Sequence, residues 1–149
     1  MGTYHQLHAH LVFSTQGRRR ILKADAGQRV HGQLGTILRE EDVIPNCIGG
    51  YDDHVHLLVS FKPTHRLSDV VRILKSRSSK WINDSSSGSH TFTWQRGYSI
   101  FSVSHSQLDI VRRYIDGQQQ HHRELGFLQE LKSMLARHEI EYDPVYIDE

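Results

Sequence analysis

Residues 54–61, His-Val-His-Leu-Leu-Val-Ser-Phe, are the stretch that decides the fold class of this chain. They follow the turn-forming pair Asp52-Asp53 and are rich in aliphatic residues, so they predict a strand. Side chains alternate between the two faces of a strand, so His54 and His56 project together while the residues between and after them point the opposite way. The stretch therefore predicts a strand that carries two imidazoles on one open face of a sheet.

Strand and helix patterns alternate on both sides of this stretch. Apolar periodicity predicts, in chain order, a strand over 4–14, a helix over about 24–40, a hairpin formed by 43–51 and 54–61, a helix over about 67–83, a strand over 99–104, and helices over about 106–125 and 127–139. This order is typical of an α+β, ferredoxin-like or RRM-like split βαβ sandwich, in which helices cover one face of an antiparallel sheet. We expect the other face to be free for chemistry.

Composition limits the class of protein. At 149 residues the chain has the size of one compact domain, so we expect 1–149 to form a single domain. Its hydrophobic content of 37% is ordinary for a soluble protein, and no apolar stretch is long enough to cross a bilayer. The N-terminus has no basic-then-apolar leader, so we expect a cytoplasmic protein without a membrane partner. The lone Cys47 excludes an internal disulfide and a zinc knuckle.

The histidine pair is a candidate metal site. Neutral imidazole is a common ligand for divalent metals, and a metal held there can polarise a phosphoryl oxygen as a Lewis acid. A His-X-His pair on a strand can also have a purely structural role at the edge of a sheet. The pair alone leaves both interpretations open.

The helix predicted over 106–125 carries an unusual polar stripe. Tyr114, Gln118 and His121 are separated by four and then three residues, which places them on one helix face. A stripe of this kind would leave polar groups unsatisfied in a core, so it more naturally faces a site. The oxygen of Gln118 can supply a third metal ligand, one helical turn from the Tyr114 hydroxyl. The alternative is that Tyr114 only packs as a half-buried aromatic residue.

The two constellations together resemble a known family. With the stretches 13–20, 50–59, 74–81 and 94–122, they are similar to the HUH single-tyrosine transposases of the insertion-sequence TnpA type, the IS200-like family, including relatives associated with repeated extragenic palindromes (REP). The resemblance implies that His54 and His56 are metal ligands, Tyr114 is the nucleophile and Gln118 is the third ligand. One departure is Gly117, where such proteins often carry Asn.

The family resemblance also implies a reaction and its partners. Tyrosine attacks a single-stranded DNA phosphodiester with the help of Mg²⁺ or Mn²⁺, and the products are a 5′-phosphotyrosine and a free 3′-hydroxyl. The DNA is recognised as hairpins at the ends of the element, by a homodimer in which the tyrosine helix of one subunit can complete the site of the other, with 104–107 as a possible hinge.

Binding to DNA phosphates would need a local basic face, because the net charge of the chain is only +1. Seven cationic side chains are candidates for contacts with DNA phosphates: Arg18, Arg19, Arg20, Arg72, Lys75, Arg77 and Lys80. Two further functions remain open from the sequence. One is a domesticated, non-mobile protein that binds DNA hairpins without cutting them, and the other is a metal-dependent phosphodiesterase that uses activated water in place of Tyr114.

Overall fold

The structure, a computed structural model, describes residues 1–86, 88, 91–122 and 125–147. Its elements in chain order are β1 (Leu7–Ser14), α1 (Ala24–Glu40), β2 (Ile44–Tyr51), β3 (His54–Phe61), α2 (Leu67–Ser85), β4 (Ser99–Val103), α3 (Leu108–Asp116), α4 (Gln118–His121), α5 (Phe127–Arg137) and α6 (Pro144–Ile147). Short 3-10 turns at Gln16–Arg18 and His105–Gln107 precede α1 and α3. Among the described residues, none of the helices combines the length and apolarity needed to cross a membrane.

The four strands form one antiparallel sheet in the order β2-β3-β1-β4. Strand β3 lies between β1 and β2, so the unit β1-α1-β2 is split by a strand from later in the chain. The register of the two central strands places Val12 opposite His56 and Ser14 opposite His54. This topology confirms the predicted α+β, ferredoxin-like class.

One face of the sheet forms the main hydrophobic core. Odd-numbered residues of β1 and β3 point to this face, where α1 and α2 pack, because side chains alternate along each strand. Leu11, Phe13, Leu57 and Leu74 are at most 2% exposed. Full burial of each such side chain contributes about 1.5–3 kcal/mol. The apolar period that predicted the elements therefore also predicts this core.

The second face is not open, and our expectation of a free surface is wrong. Helix α5 packs over it and forms a second cluster with residues of β1 and β4: Val12, Phe101, Phe127, Leu131, Met134 and Leu135. The apolar residues of α5 recur at helical spacing, so the helix needs an apolar surface to cover its stripe. The second sheet face supplies this surface, and the histidines of β3 lie beneath the covering helices.

The helix predicted over 106–125 consists of two helices that meet at Gly117. Helix α3 ends at Asp116, and α4 begins at Gln118. Gly117 has a ψ of 6°, outside the helical range, but its N–H still bonds Arg113 and its carbonyl accepts the N–H of His121. The stripe of Tyr114, Gln118 and His121 therefore stays on one side of the two helices. Residues 123 and 124, which belong to the predicted helix, lie outside the described residues. The C-terminal tail contains a short helix, α6.

Helix α3 lies directly on the edge strand β2. A Cβ added to Gly49 would be 2.8 Å from Ile115 Cγ2 and 2.9 Å from the Ile115 carbonyl oxygen. Only glycine permits this close approach, because any side chain would push the helix away. The approach brings the helix that carries Tyr114 across the sheet toward β3.

Candidate active site

His54 and His56 lie on β3 beneath the C-terminal helices, and both are fully buried. Their ring centroids are 5.1 Å apart, as expected for alternate residues on one face of a strand. The Nε2 atoms of both rings lie near the same carboxylate, that of Glu130. The two imidazoles therefore converge on one point between the sheet and the helices.

Glu130, from α5, occupies this point and is 1% exposed. Its Oε1 atom lies 3.0 Å from His56 Nε2, 3.0 Å from His122 Nε2 and 3.3 Å from His54 Nε2. Our sequence analysis did not identify Glu130 or His122 as site residues. The structure makes the carboxylate the centre of the cluster.

The second oxygen of Glu130 faces the tyrosine helix. Its Oε2 atom accepts hydrogen bonds from the hydroxyl of Tyr114 and, at 2.8 Å, from the side-chain amide of Gln118. Gln118 Oε1 in turn lies 3.0 Å from His54 Nε2. The four residues predicted from the two motifs are thus brought together within a single chain, and one carboxylate joins the phenol to the imidazoles. His121, the third member of the polar stripe, lies beside them, with its Nε2 3.4 Å from Glu130 Oε2.

Each strand histidine has a different partner at its other ring nitrogen. His54 Nδ1 donates to Asp53 Oδ1 at 2.7 Å, and His56 Nδ1 lies 2.8 Å from His10 Nε2. A histidine that binds a metal through Nε2 usually donates its Nδ1–H to such a partner, which fixes the tautomer and the ring orientation. Asp53 and His10 therefore hold both rings with Nε2 directed into the cluster.

The ionisation of the cluster follows from burial and these contacts. Burial alone would lower the pKa of His54, but the hydrogen bonds to Asp53 and Glu130 raise it to about 9. Burial lowers the pKa of His56 to about 4 despite the contact with Glu130. For Glu130, burial is outweighed by hydrogen bonds from His122, His54 and His56, which hold its pKa well below the ordinary range. Burial, and then the bond to Glu130, raise the pKa of the Tyr114 phenol. A neutral phenol thus faces a carboxylate anion.

The donor set fits a metal ion. The ligand atoms of His54, His56, His122 and Glu130 all lie within 4.8 Å of one another. Imidazole nitrogen together with carboxylate oxygen is a common donor set for divalent first-row metals. This buried cluster could therefore bind a metal ion.

The predicted DNA-binding residues fall into two groups, four on α2 and three after β1. The four on α2 stand on the helix-covered core side of the sheet, and three of them are ion-paired: Arg72 with Asp69, Arg77 with Glu40, and Lys80 with Asp84. Lys75 is half-buried, and its Nζ donates to the carbonyls of Gln95 and Gly97 at 2.6 Å each.

The three arginines after β1 lie in and beside the turn at 16–18. Arg19 and Arg20 are exposed. Arg19 also lines a cavity of about 610 Å³, together with Arg29 and Trp81, on the α1 and α2 side of the sheet. The residues that line this cavity do not include the histidine cluster, so the cavity and the candidate chemistry are at different places.

Comparison with known proteins gives the family. The family model described as "Transposase IS200 like" matches residues 3–118. The ISDra2 transposase TnpA of Deinococcus radiodurans is 25% identical over 124 residues, which cover 78% of this chain and 87% of that protein.

Two solved structures share the fold. A crystal structure from Deinococcus radiodurans R1 of a protein assigned as a transposase has a TM-score of 0.64 and 23% identity, over 79% of this chain and 95% of that one. The REP-associated tyrosine transposase, solved bound to a REP hairpin, has a TM-score of 0.54 and 14% identity, over 79% of this chain and 70% of that one. Because the family model covers the strand histidines, Tyr114 and Gln118, the chain belongs to the IS200-like transposase family.

Proposed function

We propose that this protein is a divalent-metal-dependent DNA transposase that cleaves and rejoins single-stranded DNA with Tyr114 as the nucleophile. The reaction passes through a 5′-phosphotyrosine, and hairpins at the ends of the element are the recognised structures. Residues 1–149 act as one HUH-type domain. Membership of the transposase family and the local chemistry of the cluster support the proposal.

The observation that carries the proposal is the bridging carboxylate of Glu130. One of its oxygens accepts a hydrogen bond from the Tyr114 hydroxyl, and the other faces the Nε2 atoms of His54 and His56. A nucleophile has to stand next to the group that polarises the phosphate if both are to act on it. A half-buried tyrosine with only a packing role would have no need of this arrangement.

The chain's own residues account for the positioning of the reacting groups. His54 and His56, with the oxygen of Gln118, would hold a Mg²⁺ or Mn²⁺ ion, and such an ion supplies Lewis-acid polarisation of the scissile phosphate. Asp53 and His10 keep the two imidazoles oriented. Glu130 and Gln118 keep the Tyr114 hydroxyl at the cluster.

The covalent step exchanges one phosphodiester for another. The Tyr114 oxygen forms a bond to phosphorus and loses its proton, the bond from phosphorus to the 3′-oxygen breaks, and that oxygen takes up a proton to become a free 3′-hydroxyl. Attack of a 3′-hydroxyl on the phosphotyrosine reverses the step and releases the phenol. The bond energy is retained in the covalent intermediate, so rejoining needs no nucleotide cofactor.

Hairpin-forming single-stranded DNA is the proposed partner. The fold neighbour that was solved with a REP hairpin supports this class of substrate. Of the seven predicted cations, the exposed Arg19 and Arg20 are the best placed for phosphate contacts, while Lys75 is already bound to loop carbonyls. We also propose a homodimer. Tyr114 lies beside His56 within one chain, which supports a site that each subunit can complete by itself.

The test is formation of a covalent adduct on a single-stranded DNA hairpin in the presence of Mg²⁺ or Mn²⁺, detected by denaturing gel electrophoresis. Tyr114→Phe should abolish the adduct and leave hairpin binding within a few-fold, because only the nucleophilic oxygen is removed. Tyr142→Phe is the matched control, since Tyr142 is exposed in the C-terminal tail, and it should form the adduct normally.

Other outcomes separate the alternatives. An undiminished adduct in Tyr114→Phe would remove the nucleophile assignment. Hairpin binding without any adduct in the wild-type protein would favour the domesticated binding protein. Cleavage to free ends without an adduct would favour a phosphodiesterase that uses activated water.

A further inference from the structure

Two ligand-type side chains of the cluster come from a part of the chain that the family model does not match. The match ends at residue 118, whereas His122 follows α4 and Glu130 lies on α5. Both side chains are nonetheless as buried as the strand histidines, with exposures of 2% for His122 and 1% for Glu130. The C-terminal segment therefore adds two donors to the site.

The spacing of the donors matches that of atoms around one ion. Atoms that bind the same metal at about 2.1 Å lie about 3 to 3.5 Å apart in octahedral or tetrahedral arrangements. Glu130 Oε1 lies 3.0 Å from the Nε2 atoms of His56 and His122, and 3.3 Å from that of His54. The carboxylate oxygen therefore lies within this range of all three nitrogens, and the four atoms lie within 4.8 Å of one another.

Three imidazole nitrogens share one carboxylate oxygen in this cluster. Oε1 of Glu130 has about two lone pairs, and it lies 3.0 Å from the Nε2 atoms of His56 and His122 and 3.3 Å from that of His54, which also has Gln118 Oε1 at 3.0 Å. Oε2 cannot relieve this crowding, because it already accepts from Tyr114 and Gln118. Buried polar atoms are normally satisfied, and a single cation among the four atoms would engage all of them at once.

We propose that this chain holds its metal ion with four side chains, His54, His56, His122 and Glu130, and that this site takes Mn²⁺ or another first-row transition ion in preference to Mg²⁺. Three imidazoles and one carboxylate suit transition ions, whereas Mg²⁺ prefers oxygen ligands and water. The inference rests on the proposed function, because it concerns the metal of that same site. This set replaces the three-ligand set given above: His122 and Glu130 take the place of the Gln118 oxygen, and Gln118 orients Glu130 through its amide.

Calorimetric titration of the full chain with Mn²⁺ or Mg²⁺, without DNA, tests the proposal. The wild-type protein should bind Mn²⁺ at least about ten-fold more tightly than Mg²⁺. Glu130→Gln and His122→Gln should each weaken Mn²⁺ binding by at least about ten-fold, a loss that removal of even an outer-shell partner produces. Glu141→Gln and His5→Gln are the matched controls, since both residues are exposed, and should leave the affinity unchanged.

A spectroscopic measurement on the wild-type protein avoids any folding defect of the variants. X-ray absorption of the Mn²⁺-loaded chain should show three imidazole ligands; two or fewer would overturn the four-residue set. Unchanged Mn²⁺ affinity in either site variant, or equal affinities for Mn²⁺ and Mg²⁺, would also overturn it. Because binding is measured without DNA, failure of the adduct assay would leave this result standing, and a normal adduct would not rescue it.

Discussion

At the scale of single residues, the site depends on how two imidazoles are aimed. His54 is held by the carboxylate of Asp53, and His56 is held by a second imidazole, that of His10. A carboxylate partner makes a histidine more basic and a stronger ligand than a neutral partner does. The two strand histidines are therefore chemically different, although the motif presents them as a matched pair.

The contact between Asp53 and His54 yields a residue-scale prediction. Asp53→Ala should lower Mn²⁺ affinity by about ten- to 100-fold and slow adduct formation, because the His54 ring loses the partner that sets its tautomer. Asp52→Ala, a change of the preceding residue, is the control. Calorimetry and the adduct assay measure the two effects, and equal behaviour of the two variants would show that Asp53 does not orient the ring.

The site residues found from the sequence share one property. His54 with His56, and Tyr114 with Gln118, each lie within one continuous region at a spacing that fixes a common face. Glu130 could not be found in this way, because its contact with His56 spans 74 residues and depends on where α5 docks. The contact of His10 with His56 also escapes the sequence, because it follows from the register of β1 against β3.

At the scale of elements, the decisive contact is that of α3 with β2. Gly49 allows the backbone of Ile115 to approach the strand within the space that a methyl group would fill. Tyr114 is the neighbour of Ile115, so the height of α3 above the sheet also sets the position of the phenol. The sequence alone does not reveal this role of Gly49, because the element that it meets lies far along the chain.

This contact leads to a prediction about stability and activity together. Gly49→Ala should destabilise the protein by about 1–3 kcal/mol and reduce adduct formation, because the added Cβ would overlap a backbone oxygen 2.9 Å away. Gly32→Ala is the control, because a Cβ there meets nothing within 4 Å, and it should be neutral or stabilising. Urea unfolding measures the difference, and equal stabilities would contradict the close approach.

At the scale of the whole molecule, the cluster joins two separately packed regions. β3 belongs to the main core beneath α1 and α2, whereas α5 belongs to the second cluster on the other sheet face. The apolar stripe of α5 could be predicted from its period, but not the surface that it covers. A bound ion would add a cross-link between these regions, and it would stabilise the native state over the unfolded chain.

This arrangement predicts that bound metal raises the melting temperature of the protein. Mn²⁺ at about 100 times its dissociation constant should stabilise the fold by about 2.7 kcal/mol, which corresponds to a Tm increase of about 5–10 °C for a chain of this size. Excess EDTA should reverse the increase, and His56→Gln should abolish it. An unchanged Tm in the wild-type protein would contradict metal binding at the cluster.

Helices on both sides of the sheet also limit how a nucleic acid can dock. RRM-type domains spread unpaired bases across an exposed strand surface, but here α5 already occupies that platform. In the proposed reaction, a DNA phosphate would have to reach the partly exposed Tyr114 from the rim of the covered sheet. A single strand bends into such a position more readily than a stiff duplex does, so the covered sheet agrees with the single-stranded substrate that we propose.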